Sequence, residues 1–170
     1  MSRPDLLQFI ADNILIFDGA TGTWLQEQDL TLDDFEGQEG CNEVLVRSRP
    51  DVVKALHRSF LAVGCHVVET NTFGANRVVL AEYGLQDQAH ELNRRAAALA
   101  KEVCREHATP QRPRWVAGSI GPGTKLPSLG QISFDALLNA YSEQAAGLIE
   151  GGADLLVIET CQDILQTRAA

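Results

Sequence analysis

The chain has 170 residues, 45% of them hydrophobic, and a formal charge of −9, enough to bury a sizeable core in one soluble domain. Its acidic residues are scattered and no Lys/Arg cluster occurs, which argues against nucleic acid or an anionic membrane as partner and leaves a small-molecule ligand. The start, Met1-Ser2-Arg3-Pro4-Asp5, leads into a mixed segment without a sustained apolar run, so neither a signal peptide nor a membrane span is expected, and the location expected is cytoplasmic. Cys41, Cys65, Cys104 and Cys161 lie far apart with no C-x-x-C pair, which fits reduced thiols rather than a disulfide framework or a zinc knuckle.

Four short apolar runs each end on a polar residue. They are Ile14-Leu15-Ile16-Phe17 into Asp18-Gly19, His66-Val67-Val68 into Glu69-Thr70-Asn71, Trp115-Val116-Ala117 into Gly118-Ser119, and Leu155-Leu156-Val157-Ile158 into Glu159-Thr160. Val/Ile-rich runs without period-two alternation predict strands buried on both faces of a parallel sheet.

Between them lie helical segments. A long loop over 19–48 leads to a helix with Pro50 and Asp51 in its first turn, a stripe of Val52, Val53, Leu56, Phe60 and Leu61, and a stop at Gly64. A short helix through Val78-Val79-Leu80 stops at Gly84, and a longer one carries Leu92, Ala96, Leu99 and Val103. Gly121-Pro122-Gly123 and Pro127 to Gly130 predict an irregular loop, after which Ser133 caps a helix burying Phe134, Leu137, Leu138, Tyr141, Ala145 and Leu148. A last helix begins at Asp163 and the chain stops inside it, so the ending reads as cut. The fold expected is α/β: four parallel βα units, the N-terminal half of a truncated (β/α)8 TIM barrel, with a four-stranded doubly wound sheet as the open alternative. In either, the polar strand ends share the rim where sites are built.

Phe17-Asp18-Gly19-Ala20-Thr21-Gly22-Thr23, Gly40-Cys41-Asn42-Glu43, Glu69-Thr70-Asn71-Thr72-Phe73, Gly118-Ser119-Ile120-Gly121-Pro122 and Ile158-Glu159-Thr160 resemble the homocysteine S-methyltransferase module of cobalamin-dependent methionine synthase, in order and over nearly the whole chain. The resemblance implies that residues 1–170 are a partial homocysteine-binding barrel domain, because the family's module is about twice this long. It implies a methyltransferase of methionine biosynthesis, with Asp18 and Glu159 holding the amino group of homocysteine. An ammonium taken from water needs charged acceptors, which fits that role. The structural alternative is that Asp18 caps its Asp-Gly turn and Glu159 pairs with a basic side chain.

Gly19 and Ala20 lie in a small-residue loop able to offer backbone N–H groups to a substrate carboxylate. No G-x-x-x-x-G-K signature or dinucleotide fingerprint is complete. Thr70 and Asn71 could orient a polar ligand or anchor a loop, and of Glu69 and Thr70 only one can point inward. The resemblance further implies zinc to activate the homocysteine thiol, held in the family by three cysteines of the barrel's second half, two of them adjacent; they are expected beyond residue 170. It implies methylcobalamin and methyltetrahydrofolate on other domains. Cys161 is a weak substitute ligand without an activating base, and Cys104 reads as core. Two other classes stay open: a non-catalytic half-barrel remnant or interaction module with exposed strand edges, and an unrelated TIM-barrel lyase acting on a small carboxylate.

Overall fold

The computed structural model describes residues 5–170; of the N-terminal segment read above, residues 1–4 lie outside the described residues. Eight α-helices are described: α1 (Leu6–Asp12), α2 (Thr21–Gln26), α3 (Leu45–Ser48), α4 (Pro50–Val63), α5 (Arg77–Leu80), α6 (Ala89–His107), α7 (Phe134–Gly151) and α8 (Ile164–Ala169). Three strands, β1 (Val67–Glu69), β2 (Trp115–Ile120) and β3 (Leu155–Ile158), form one parallel sheet in the order β1-β2-β3. Register pairs Val67 with Trp115 and Ala117 with Leu155, so the carboxyl ends of all three strands meet at one rim.

The first expected strand is a correction. Residues 14–17 join the sheet through a single parallel bridge, Phe17 to Val67, rather than a ladder. The Ile16 N–H donates to His66 Nδ1 (3.2 Å) instead of a carbonyl, which stops the ladder there, and Ile14 and Ile16 are exposed. Three strands and one bridge therefore stand in place of four full βα units.

Burial on both faces holds for β2, every residue of which is buried, and for Val67 and Val68 of β1. It fails for β3, whose alternate residues Leu156 and Ile158 share one face of the strand and are exposed there. The long loop over 19–48 also contains structure: α2, a 3-10 turn at Asn42–Val44 and α3.

Helix punctuation behaves as the sequence predicts. Pro50 opens α4 and Gly64 closes it at φ 114°; Gly84 closes the turn after α5 at φ 68°. Ser133 Oγ accepts from Ala136 N (3.2 Å) to cap α7, and Asp163 Oδ1 accepts from Leu165 N (2.8 Å) to cap α8. Within α7, Leu137, Tyr141 and Leu148 are buried, whereas Phe134 and Leu138 are exposed, since no described element covers that side of its first turns.

Two layers of core follow from strand alternation. Val68 and Val116 face outward against Leu61, Val103 and Cys104 of the helices. Val67, Trp115 and Ala117 face the other way, joined by Phe17, Leu155 and Val157. Phe9 of α1 lies 4.9 Å from the Trp115 ring and 5.3 Å from His66, so α1 packs at the amino ends of the strands, opposite the rim. Among the described residues no helix is long and apolar enough to cross a membrane.

Candidate functional site

A cavity of about 570 Å³ opens at the carboxyl ends of the strands. All six residues singled out from the sequence, Asp18, Gly19, Ala20, Thr70, Asn71 and Glu159, line it.

Strand alternation decides which side chains reach it. After Val67 inward and Val68 outward, Glu69 points to the cavity and Thr70 turns into the wall, where it is buried. Thr72 Oγ1 donates to the Ser119 carbonyl (2.8 Å), so in its 2.6 Å contact with Thr70 Oγ1 the Thr70 hydroxyl is the donor. Thr70 Oγ1 also accepts from Ser119 N at 3.0 Å, and its hydroxyl is thus committed inside the wall, stitching β1 to β2. Asn71 Nδ2 donates to the Asn42 carbonyl (2.7 Å), tying the loop before α3 to the end of β1.

The acidic residues are placed by different elements. Asp18 Oδ2 accepts the backbone N–H of Glu69 at 3.0 Å. Glu159 Oε1 accepts from Ser119 Oγ at 2.6 Å. Thr160, next in the chain, adopts φ 57°, an uncommon conformation for a β-branched residue, at the turn that leaves β3. Glu43 is buried on the opposite wall, where Oε1 accepts from Gly74 N (2.7 Å) and Oε2 from the Cys41 thiol (3.6 Å). A Cβ on Gly74 would lie 2.9 Å from that carboxylate, so only glycine allows this approach.

Four carboxylates thus face one cavity, and no Lys, Arg or His lines it. Burial, and then the charges of Glu69 and Glu159, push the Asp18 carboxyl up to about 7. Burial and Glu159 likewise raise Glu69, and burial raises Glu43. Burial and the adjacent Glu43 push the Cys41 thiol up to about 12, which keeps it protonated. A positively charged group would complement such a site.

Glu43 and Glu69 were not among the six. The signal for Glu69 was present in strand alternation, which admitted either it or Thr70; for Glu43 the burial comes from a tertiary approach to Gly74 that no local pattern encodes. Other reactive residues lie elsewhere. Cys104 is buried, its thiol donating to the Trp115 carbonyl (3.5 Å), and His57 is fully buried within α4, where burial lowers its imidazole to about 4. Among the described residues no group of three or more His, Cys, Asp or Glu is placed to hold a metal ion.

Methionine synthases from Mycobacterium tuberculosis and Mycobacterium leprae are each 48% identical over 166 residues, covering 98% of this chain and 14% of their own length. The chain therefore spans about one seventh of these relatives. In fold it is similar to the crystallised homocysteine methyltransferase MmuM from Escherichia coli, with a TM-score of 0.78 at 23% identity for the oxidised form and 22% for the metallated form, covering 98% of this chain and 60% of that one. The family description that matches, over residues 15–170, is that of the homocysteine S-methyltransferases, and the chain belongs to that family.

Proposed function

We propose that this chain is the homocysteine-binding part of a methionine synthase, residues 1–170 forming part of a (β/α)8 barrel whose remaining strands lie outside them. The observation that carries this reading is the cavity in which four carboxylates meet without a cation. Homocysteine brings an ammonium, which Asp18 and Glu159 hold through charge-assisted hydrogen bonds. Its carboxylate lies against the Gly19-Ala20 backbone, which lines the cavity. Thr70 and Asn71 shape the wall between them.

Methyl transfer to homocysteine gives methionine and requires the sulfur as thiolate, a state that a zinc ion supplies. The residues described here do not fit that ion, since no three His, Cys, Asp or Glu side chains among them are placed to hold it. The zinc ligands are assigned to cysteines beyond residue 170, so this chain grips the amino-acid end of the substrate. Cobalamin and methyltetrahydrofolate are assigned to further domains, for which the length of the mycobacterial relatives leaves room. The test is calorimetric titration of the zinc-loaded full-length protein with L-homocysteine, before and after the double substitution Asp18→Asn/Glu159→Gln. Loss of measurable binding is expected; unchanged affinity overturns the reading.

A further inference from the structure

Glu69 differs from the other carboxylates of the cavity. Asp18 accepts a backbone N–H and Glu159 a serine hydroxyl, whereas the half-buried Glu69 carboxylate has no hydrogen-bond donor and no cation among the described residues. The titratable groups around it come from every neighbouring element: Asp18 from the first segment, Glu159 after β3, Glu43 from the far wall, and the Cys65 thiol near Asp18. None is cationic. Carboxylates crowded in this way cannot all ionise, so the free site retains a proton. The upward displacement of both Asp18 and Glu69 agrees with this.

We infer that Glu69 is a specificity-determining residue that, with Asp18, keeps a proton in the free site and gives it up when a ligand ammonium enters. The inference rests on the proposed function, since it takes the ligand to be an α-amino acid. The exchange balances: one carboxyl O–H bond breaks, its proton passes to solvent, and one –NH₃⁺ takes its place with no new covalent bond. An ammonium has three donors, and Asp18, Glu69 and Glu159 offer an acceptor for each. A ligand with a methyl or methylene at that position cannot displace the proton, so the exchange discriminates amino acids from their desamino analogues.

The test is titration calorimetry on the zinc-loaded full-length protein at neutral pH, in buffers of different ionisation enthalpy, with L-homocysteine and with 4-mercaptobutyrate, which lacks the ammonium. Zinc takes the sulfur of either ligand as thiolate and frees one thiol proton with each, so wild type is expected to release more protons with the first ligand than with the second, the excess coming from the carboxylates. In Glu69→Gln that excess falls by at least about half and L-homocysteine affinity drops about tenfold, the scale of one charge-assisted hydrogen bond, while 4-mercaptobutyrate binds as before. Glu69→Asp, which keeps the charge, retains the excess, and an unchanged melting temperature shows that both variants are folded. An equal excess in wild type and Glu69→Gln, no excess in wild type, or equal loss of affinity for both ligands overturns the inference. Wild type that binds L-homocysteine no better than 4-mercaptobutyrate overturns the functional reading beneath it instead.

Discussion

Ser119 Oγ donates a 2.6 Å hydrogen bond to Glu159 Oε1, joining the end of β2 to the residue that follows β3. The serine both holds the carboxylate toward the cavity and receives its own backbone support from Thr70. Ser119→Ala in the full-length protein should weaken L-homocysteine binding by about 1 kcal/mol, the net worth of a typical hydrogen bond, with zinc content unchanged. Calorimetry paired with metal analysis checks it; an unaltered affinity would assign Ser119 to the wall alone.

Taken singly, Asp18→Asn and Glu159→Gln should each cost about 1.5–3 kcal/mol in homocysteine binding, the range for hydrogen bonds to charged groups. Asparagine and glutamine keep the shape and one carbonyl acceptor, so the loss reports charge. If affinity holds in both variants, the carboxylates serve the fold.

The pH dependence of stability has a definite sign. Asp18 rises from the ordinary 3.8 to about 7 in the folded chain. Between those values the folded chain keeps a proton that the unfolded chain has lost, so this contribution is fully present below the unfolded value and is lost as pH rises through about 7. Glu43 and Glu69, also raised, act in the same direction. Hydrogen exchange of β1 and β2 amides in the ligand-free full-length protein, corrected for intrinsic rates, should show opening free energy falling between about pH 4 and about pH 7. The fall should be shallower in Asp18→Asn, and matching slopes would contradict the assignment.

Helices α6 and α7 approach closely because of two glycines. A Cβ on Gly147 would lie 2.4 Å from the His90 carbonyl oxygen, and one on Gly151 2.2 Å from that of Arg94. Backbone cannot yield as a side-chain end can, so Gly147→Ala or Gly151→Ala should destabilise by roughly 1–3 kcal/mol through overpacking. Loss of amide protection in α6 and α7 is the readout, and unchanged protection would show that the helices slide apart freely.

The zinc ligands are proposed to lie beyond residue 170, and among the described residues no three His, Cys, Asp or Glu side chains are placed to hold a metal ion. Cys161→Ser, the least buried of the four, should leave the zinc stoichiometry of the full-length protein unchanged. Metal analysis after dialysis decides it: a lost equivalent would bring Cys161 into the metal site.

Local rules in the sequence determined the helices and their ends: Pro50, Gly64, Gly84, Ser133 and Asp163 act within one turn of the backbone, so neighbours suffice to read them. The cavity-lining positions of Asp18, Gly19, Ala20, Thr70, Asn71 and Glu159 were legible too, because polar residues ending parallel strands must share a rim. Tertiary structure decided the rest. Whether 14–17 forms a ladder depended on His66, fifty positions away, taking the Ile16 N–H. The exposure of Leu156 and Ile158 depended on whether another element covers their face of β3, which composition does not state. The charge state of the site is likewise a tertiary property: Asp18, Glu43, Glu69 and Glu159 are ordinary acids in the sequence, and only their convergence in one partly buried cavity raises Asp18, Glu43 and Glu69, because desolvation and repulsion depend on distance in space rather than along the chain.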